Sequence, residues 1–171
     1  MPIRVIITGG TFDKAYDSLR GELTLSRTHL PDILEMVRCT VDTRPEVRLL
    51  KDSLEMDDHD RQVITDACRE CDEHVIIVTH GTDTMTKTAA VVAAAQLDKT
   101  VVFTGAMIPY AVNGSDALFN LGGAFAAAQS CPPGVYIVMN GKVFESGAVR
   151  KNRNNGVFEE VTGDRKTTDA R

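Results

Sequence analysis

Residues 74–107 read HVIIVTHGTDTMTKTAAVVAAAQLDKTVVFTGAM. Two short runs rich in β-branched residues, His74 to Thr79 and Thr100 to Thr104, bracket an alanine-rich stretch from Met85 to Leu97 of helical length. Strands joined through a helix pair in parallel, because a tight turn can only reverse the chain. Each strand also ends in a small polar cluster containing glycine, HGTDT at 80–84 and TGAM at 104–107.

The same alternation extends to both sides. Ile3 to Thr8 and Val135 to Met139 repeat the buried-strand pattern, and Val47 to Leu50 is a weaker copy. Helical patterns occupy Leu30 to Arg38, Asp57 to Glu70 and Asp116 to Ala128. Asp57 suits the N-cap of its helix, with Asp60 supplying negative charge to the first turn. The expected architecture is a single α/β domain over residues 1–171: a doubly wound, mostly parallel sheet flanked by helices. Such sheets bind ligands beyond the carboxyl ends of their strands. Two stretches lack periodicity. Phe12 to Thr28 has the length of a functional lid or a disordered loop, and a polar tail sets in at about residue 153.

With 171 residues, 43% of them apolar, the chain can bury one good core. A net charge of −5 argues against nucleic acid and anionic membrane surfaces as partners, since both attract basic proteins. The amino terminus lacks the pattern of a secretory signal, and no apolar run approaches a membrane span, so a cytoplasmic location is expected. The four cysteines would then be reduced thiols. Cys68 and Cys71 have C-x-x-C spacing, but they close a helical pattern and no second pair follows, which disfavours a redox or zinc role.

The strand ends hold the candidate chemistry. Thr8-Gly9-Gly10-Thr11 presents a threonine after two glycines that permit close backbone approach. His80 to Thr84 brings three hydrogen-bonding side chains to a helix start, where free amides favour anionic groups. Asp52-Ser53-Leu54-Glu55-Met56 follows the Val47 strand, and Lys151 lies in a basic cluster beyond the last strand. Each has a commonplace reading as an N-cap, a turn or a solvated patch. His80 reads as a turn histidine without a proton-transfer role. Together the clusters describe one polar pocket on one edge of the sheet.

Taken in order, TGGTF at 8–12, DSLEM at 52–56, HGTDT at 80–84, GAM at 105–107, SDALFNL at 115–121 and VRKN at 149–152 resemble the bacterial-type L-asparaginases. The resemblance runs to about Asn152 and implies the fold of that family's N-terminal domain. It also implies an amidohydrolase that converts L-asparagine to L-aspartate and ammonia without metal or organic cofactor. On this resemblance Thr11 is the primary nucleophile, and Thr82, Asp83 and Lys151 form a second polar triad. Tyr16 matches a loop tyrosine that hydrogen-bonds the nucleophile. Ser53 holds the substrate α-carboxylate and Asp83 its α-amino group, with Gly10, Gly81 and Glu55 completing the binding set.

These roles are physically coherent. A threonine hydroxyl attacks only when a neighbour takes its proton, and lysine can do so only in its neutral form. Backbone amides in the glycine turns would hold the oxyanion, and the Phe12 to Thr28 lid would exclude water.

The family's carboxy-terminal domain, which helps build its dimers and contacts the substrate amino group from a neighbouring subunit, has no counterpart in these residues. Leu54 stands where relatives often carry a polar group. A homo-oligomer, dimer or tetramer, is expected, with Ala117 to Ala128 as one packing surface, and asparagine should be preferred over glutamine. The competing readings are a non-catalytic aspartate- or nucleotide-binding domain, an amidohydrolase for another small amide, and an amidotransferase subunit.

Overall fold

A computed structural model describes residues 1–161. Strand β1 (Ile3–Gly9) runs into a 3-10 turn (Thr11–Asp13) and a small hairpin, β2 (Ala15–Asp17) and β3 (Glu22–Thr24). There follow α1 (Leu30–Met36), β4 (Thr43–Lys51), a second 3-10 turn (Ser53–Glu55), α2 (Asp58–Glu70), β5 (Val75–Thr79), α3 (Met85–Ala94) and β6 (Thr100–Thr104). The described chain closes with α4 (Ala117–Ser130), β7 (Gly134–Met139), β8 (Lys142–Glu145), β9 (Val149–Asn152) and β10 (Val157–Glu160).

Six strands form one sheet in the order β4-β1-β5-β6-β7-β8, parallel throughout except for β8, which pairs antiparallel to β7. The doubly wound expectation is met. The chain steps to one side of β1 for β4 and to the other side for β5, so the topological switch point lies between the ends of β1 and β5.

Alternation along the strands supplies two cores. Ile3, Val5, Ile7, Ile77, Val102 and Val138 pack against Leu30 and Ile33 of α1 and Leu121, Ala124 and Phe125 of α4. Ile6, Ile76, Val78, Phe103, Ile137 and Met139 pack on the other face against Ile64 and Cys68 of α2 and Met85, Ala89 and Val92 of α3. Both faces of the central strands are therefore dry, which is why they read as unbroken apolar runs.

Departures from the sequence reading have local causes. β4 begins at Thr43, earlier than Val47, because it is an edge strand; its outer half is polar and accommodates Pro45, which lacks a donor. α1 stops at Met36 and α3 at Ala94, each shortly before a left-handed residue, Arg38 (φ 54) and Gln96 (φ 50). α2 is capped as expected and more fully, with Asp57 accepting from the Asp60 amide at 2.9 Å and Asp60 accepting from the Asp57 amide at 3.1 Å.

The residues expected to be tail are partly structured. β9 and β10 form an antiparallel hairpin in which Phe158 pairs with Lys151, and the Phe158 ring is buried in the α2/α3 core. The rest of the tail, residues 162–171, lies outside the described residues.

Candidate active site

At the switch point the strand ends meet backbone to backbone. Gly10, at φ 78, stands so close to Gly81 that a Cβ would collide with the Gly81 nitrogen and Cα. A Cβ on Gly81 would lie 2.6 Å from both Cβ and Oγ of Ser53. No side chain fits in either gap, so glycine is the residue that lets the β1, β4 and β5 tips share one site. Thr11 and Thr82 are the next residues along the two touching turns.

Lys151 arrives from the β9–β10 hairpin, 69 residues from Thr82 in sequence. Its Nζ donates to Thr82 Oγ1 at 2.8 Å and to Asp83 Oδ1 at 3.0 Å. Thr82 is buried, and the Lys151 side chain is 13% exposed, so this contact is shielded from water in a way that surface pairs are not. Ser53, also buried, accepts from the Thr84 amide through Oγ at 3.4 Å, and its carbonyl accepts from the Thr84 hydroxyl at 2.8 Å. These bonds tie the β4 tip to the start of α3. Thr11, half-buried, lies in the 3-10 turn whose carbonyl accepts from the Lys14 amide at 3.2 Å.

The other expected members lie farther out. Glu55 and Leu54 are solvent-exposed in the Ser53–Glu55 turn. Tyr16 is 66% exposed on β2, and among the described residues no hydrogen bond joins it to Thr11. It lines an open depression of about 450 Å³ with Leu19, Arg20 and Leu25. The Phe12 to Thr28 segment is clamped at its base: buried Asp13 accepts from the Thr28 hydroxyl at 3.1 Å and from the His29 amide at 2.9 Å. Burial pushes the Asp13 carboxyl up against these bonds.

Several further side chains, to which the motifs assign no role of their own, contribute. Lys14 forms an ion pair with Asp52, whose carboxyl is raised by burial but held below its ordinary value overall by the Lys14 hydrogen bond, the Leu54 amide and the charge of Lys151. Arg153 approaches Asp83 to 3.5 Å. Asp116 accepts from the Met107 and Ile108 amides, and Asn120, one helical turn on, donates to the Gly105 carbonyl at 3.0 Å. Their i, i+4 spacing at the head of α4 was the available signal.

His80 is wholly buried behind the Gly81–Thr82 peptide. Its Nδ1 lies 2.7 Å from the Gly81 carbonyl, which can only accept, so Nδ1 carries the proton and Nε2 accepts from the Thr88 hydroxyl at 2.9 Å. Burial drives its pKa down to about 4 against a smaller upward pull from the Gly81 carbonyl. The folded pKa lies below the unfolded one, so this stabilisation is complete above pH 6.5 and is lost as pH falls towards 4. Urea unfolding should show a loss on the order of 2–3 kcal/mol between pH 7 and 4.5. His80→Gln should flatten that interval, and an unchanged slope would refute the assignment. Cys68 of the C-x-x-C pair is similarly buried, and burial pushes its thiol up to about 12, which disfavours a thiolate at that position.

The family model described as Asparaginase, N-terminal matches residues 2–160. The chain belongs to the asparaginase family, and the matched part is that family's N-terminal domain. Among individual relatives, L-asparaginase 2 of Escherichia coli is 31% identical over 168 residues, covering 91% of this chain and 47% of that protein. The L-asparaginase of Thermococcus kodakarensis is 30% identical over 158 residues, covering 88% and 48%. The solved structure of the thermostable L-asparaginase from Thermococcus kodakarensis superposes with a TM-score of 0.85 at 27% identity, covering 95% of this chain and 52% of that one. A probable cytoplasmic L-asparaginase from Campylobacter jejuni gives 0.78 at 26% identity, covering 92% and 52%. The chain spans about half the length of the curated relatives it matches.

Proposed function

We propose that the chain hydrolyses the side-chain amide of L-asparagine, giving L-aspartate and ammonia through an acyl-enzyme on Thr11. The observation that carries this reading is the Lys151 amine held at 2.8 Å on the buried Thr82 hydroxyl, in the turn that touches the one bearing Thr11. Thr11 attacks the amide carbon, and its proton passes by way of Thr82 to the Lys151 amine and on to the departing ammonia. Water then cleaves the ester and regenerates the hydroxyl. Amides of the Gly10 and Gly81 turns stabilise the oxyanion, Ser53 receives the substrate α-carboxylate and Asp83 its ammonium. No metal or organic cofactor is required by these steps.

The Phe12 to Thr28 segment serves as the lid. Its base is clamped at Asp13, so closure is carried by the β2–β3 hairpin, where Tyr16 and the exposed Leu19 and Leu23 can descend on bound substrate. The protein acts in the cytosol as a homo-oligomer, dimer or tetramer. Among the described residues no helix is long and apolar enough to cross a membrane, and Leu118 and Phe119 of α4 expose apolar surface on which a second copy can pack.

The test is ammonia release by the purified chain from asparagine, glutamine and other small amides. We expect kcat/KM for asparagine to exceed that for glutamine by at least about tenfold, because one extra methylene displaces the carbonyl from Thr11. Equal values would refute the preference. Absence of ammonia release from every amide would refute the catalytic reading in favour of a binding domain.

A further inference from the structure

Asp83 shares one carboxylate oxygen between two basic side chains. Its Oδ1 accepts from Lys151 Nζ at 3.0 Å, and the Arg153 guanidinium lies 3.5 Å from the same oxygen. One carboxylate oxygen thus serves two basic side chains, and of these the Arg153 guanidinium is the one that is always charged. The two differ in how they are held. Lys151 is 13% exposed and also bonded to Thr82, whereas the Arg153 side chain is 64% exposed and approaches no other carboxylate among the described residues. Glu159, on the same hairpin, is already taken by Arg150 at 2.7 Å and by Asn152 at 3.1 Å.

The backbone under Arg153 is held by hydrogen bonds, while its side chain is mostly exposed. Asn152 Oδ1 accepts from the amides of Asn154 and Asn155, which closes the β9–β10 turn and anchors the Cα of Arg153 beside the site. The guanidinium can therefore leave Asp83 for solvent without disturbing the hairpin that carries Lys151.

We propose that Arg153 is a specificity-determining residue that competes with a ligand ammonium for Asp83, so that α-amino dicarboxylates bind by exchanging one cation for another. This rests on the reading above in which Asp83 meets the substrate ammonium. An ammonium must either displace Arg153 or share the carboxylate with it. A dicarboxylate without an ammonium makes no such exchange and keeps the Arg153 guanidinium beside it. Arg153 thereby narrows the advantage that L-aspartate would hold over succinate.

Calorimetric titration of the full chain with L-aspartate and with succinate, in the wild type and in Arg153→Gln, tests this. Aspartate should bind about three- to fivefold more tightly to the variant, the range set by one exposed ion pair, and succinate should be unchanged or weaker. Arg153→Lys should behave as the wild type. The proposal is overturned if both ligands tighten together, if aspartate affinity is unchanged or falls, or if aspartate binds neither form. Catalysis is scored separately. A chain inert towards asparagine that still shows the aspartate-selective gain defeats the hydrolytic reading and leaves this one intact, and an active chain without the gain defeats this one alone.

Discussion

Thr11→Ala is expected to lower ammonia release from asparagine by on the order of 10⁴-fold, with the fold unchanged. Alanine cannot form the ester on which the two-step route depends, and what remains is positioning and oxyanion stabilisation of a direct attack by water. The substitution is structurally mild. Thr11 is only half-buried, and its carbonyl, which accepts from the Lys14 amide, is retained. The variant should therefore unfold at the same temperature as the wild type and still bind aspartate. A variant that kept more than about a tenth of the rate would show that another group attacks, since a lost nucleophile costs orders of magnitude more.

The second large effect concerns Lys151. Lys151→Met preserves the aliphatic stem in its shielded position and removes only the amine that donates to Thr82 and Asp83. We expect kcat to fall on the order of 10²–10³-fold with a much smaller change in KM, the range for a lost proton-transfer group. The double variant with Thr11→Ala should be no slower than Thr11→Ala alone, because groups that serve one step are not additive. If Lys151→Met instead retained its kcat and lost thermal stability, the lysine would be a tether for the β9–β10 hairpin. Steady-state kinetics together with a melting curve separate the two outcomes.

The parts of the fold that were legible in sequence are those whose physics is local. β1, β5, β6 and β7 announce themselves because burial on both faces demands unbroken runs such as Val75 to Thr79. The outer half of β4 does not, because an edge strand with Pro45 and exposed charged residues is indistinguishable from a loop. Arg38 and Gln96 adopt left-handed backbone without being glycine, so the helix ends they mark carry no compositional sign. β10 was hidden in a polar segment, where Phe158 alone seeks the core.

At the candidate site, the polar ends of β1, β4 and β5 are legible from the strand runs that precede them, and the Gly10–Gly81–Ser53 contacts are the physical form of their convergence. The approach of Lys151 to Thr82 spans 69 residues, and only family resemblance pointed to it. Nothing in the spacing of Arg153 or Lys14 distinguishes them from any solvated cation. Tyr16 lies on the short Ala15–Asp17 strand with its side chain 66% exposed.

The β9–β10 hairpin also dates the site within the life of the molecule. The six-stranded sheet is complete once residue 145 has left the ribosome, whereas the amine that completes the Thr82–Asp83 pair follows at Lys151 and its anchoring ring later still at Phe158. A nascent chain can therefore form its sheet before the Lys151–Thr82 contact exists, and that contact is supplied among the last described residues to be translated.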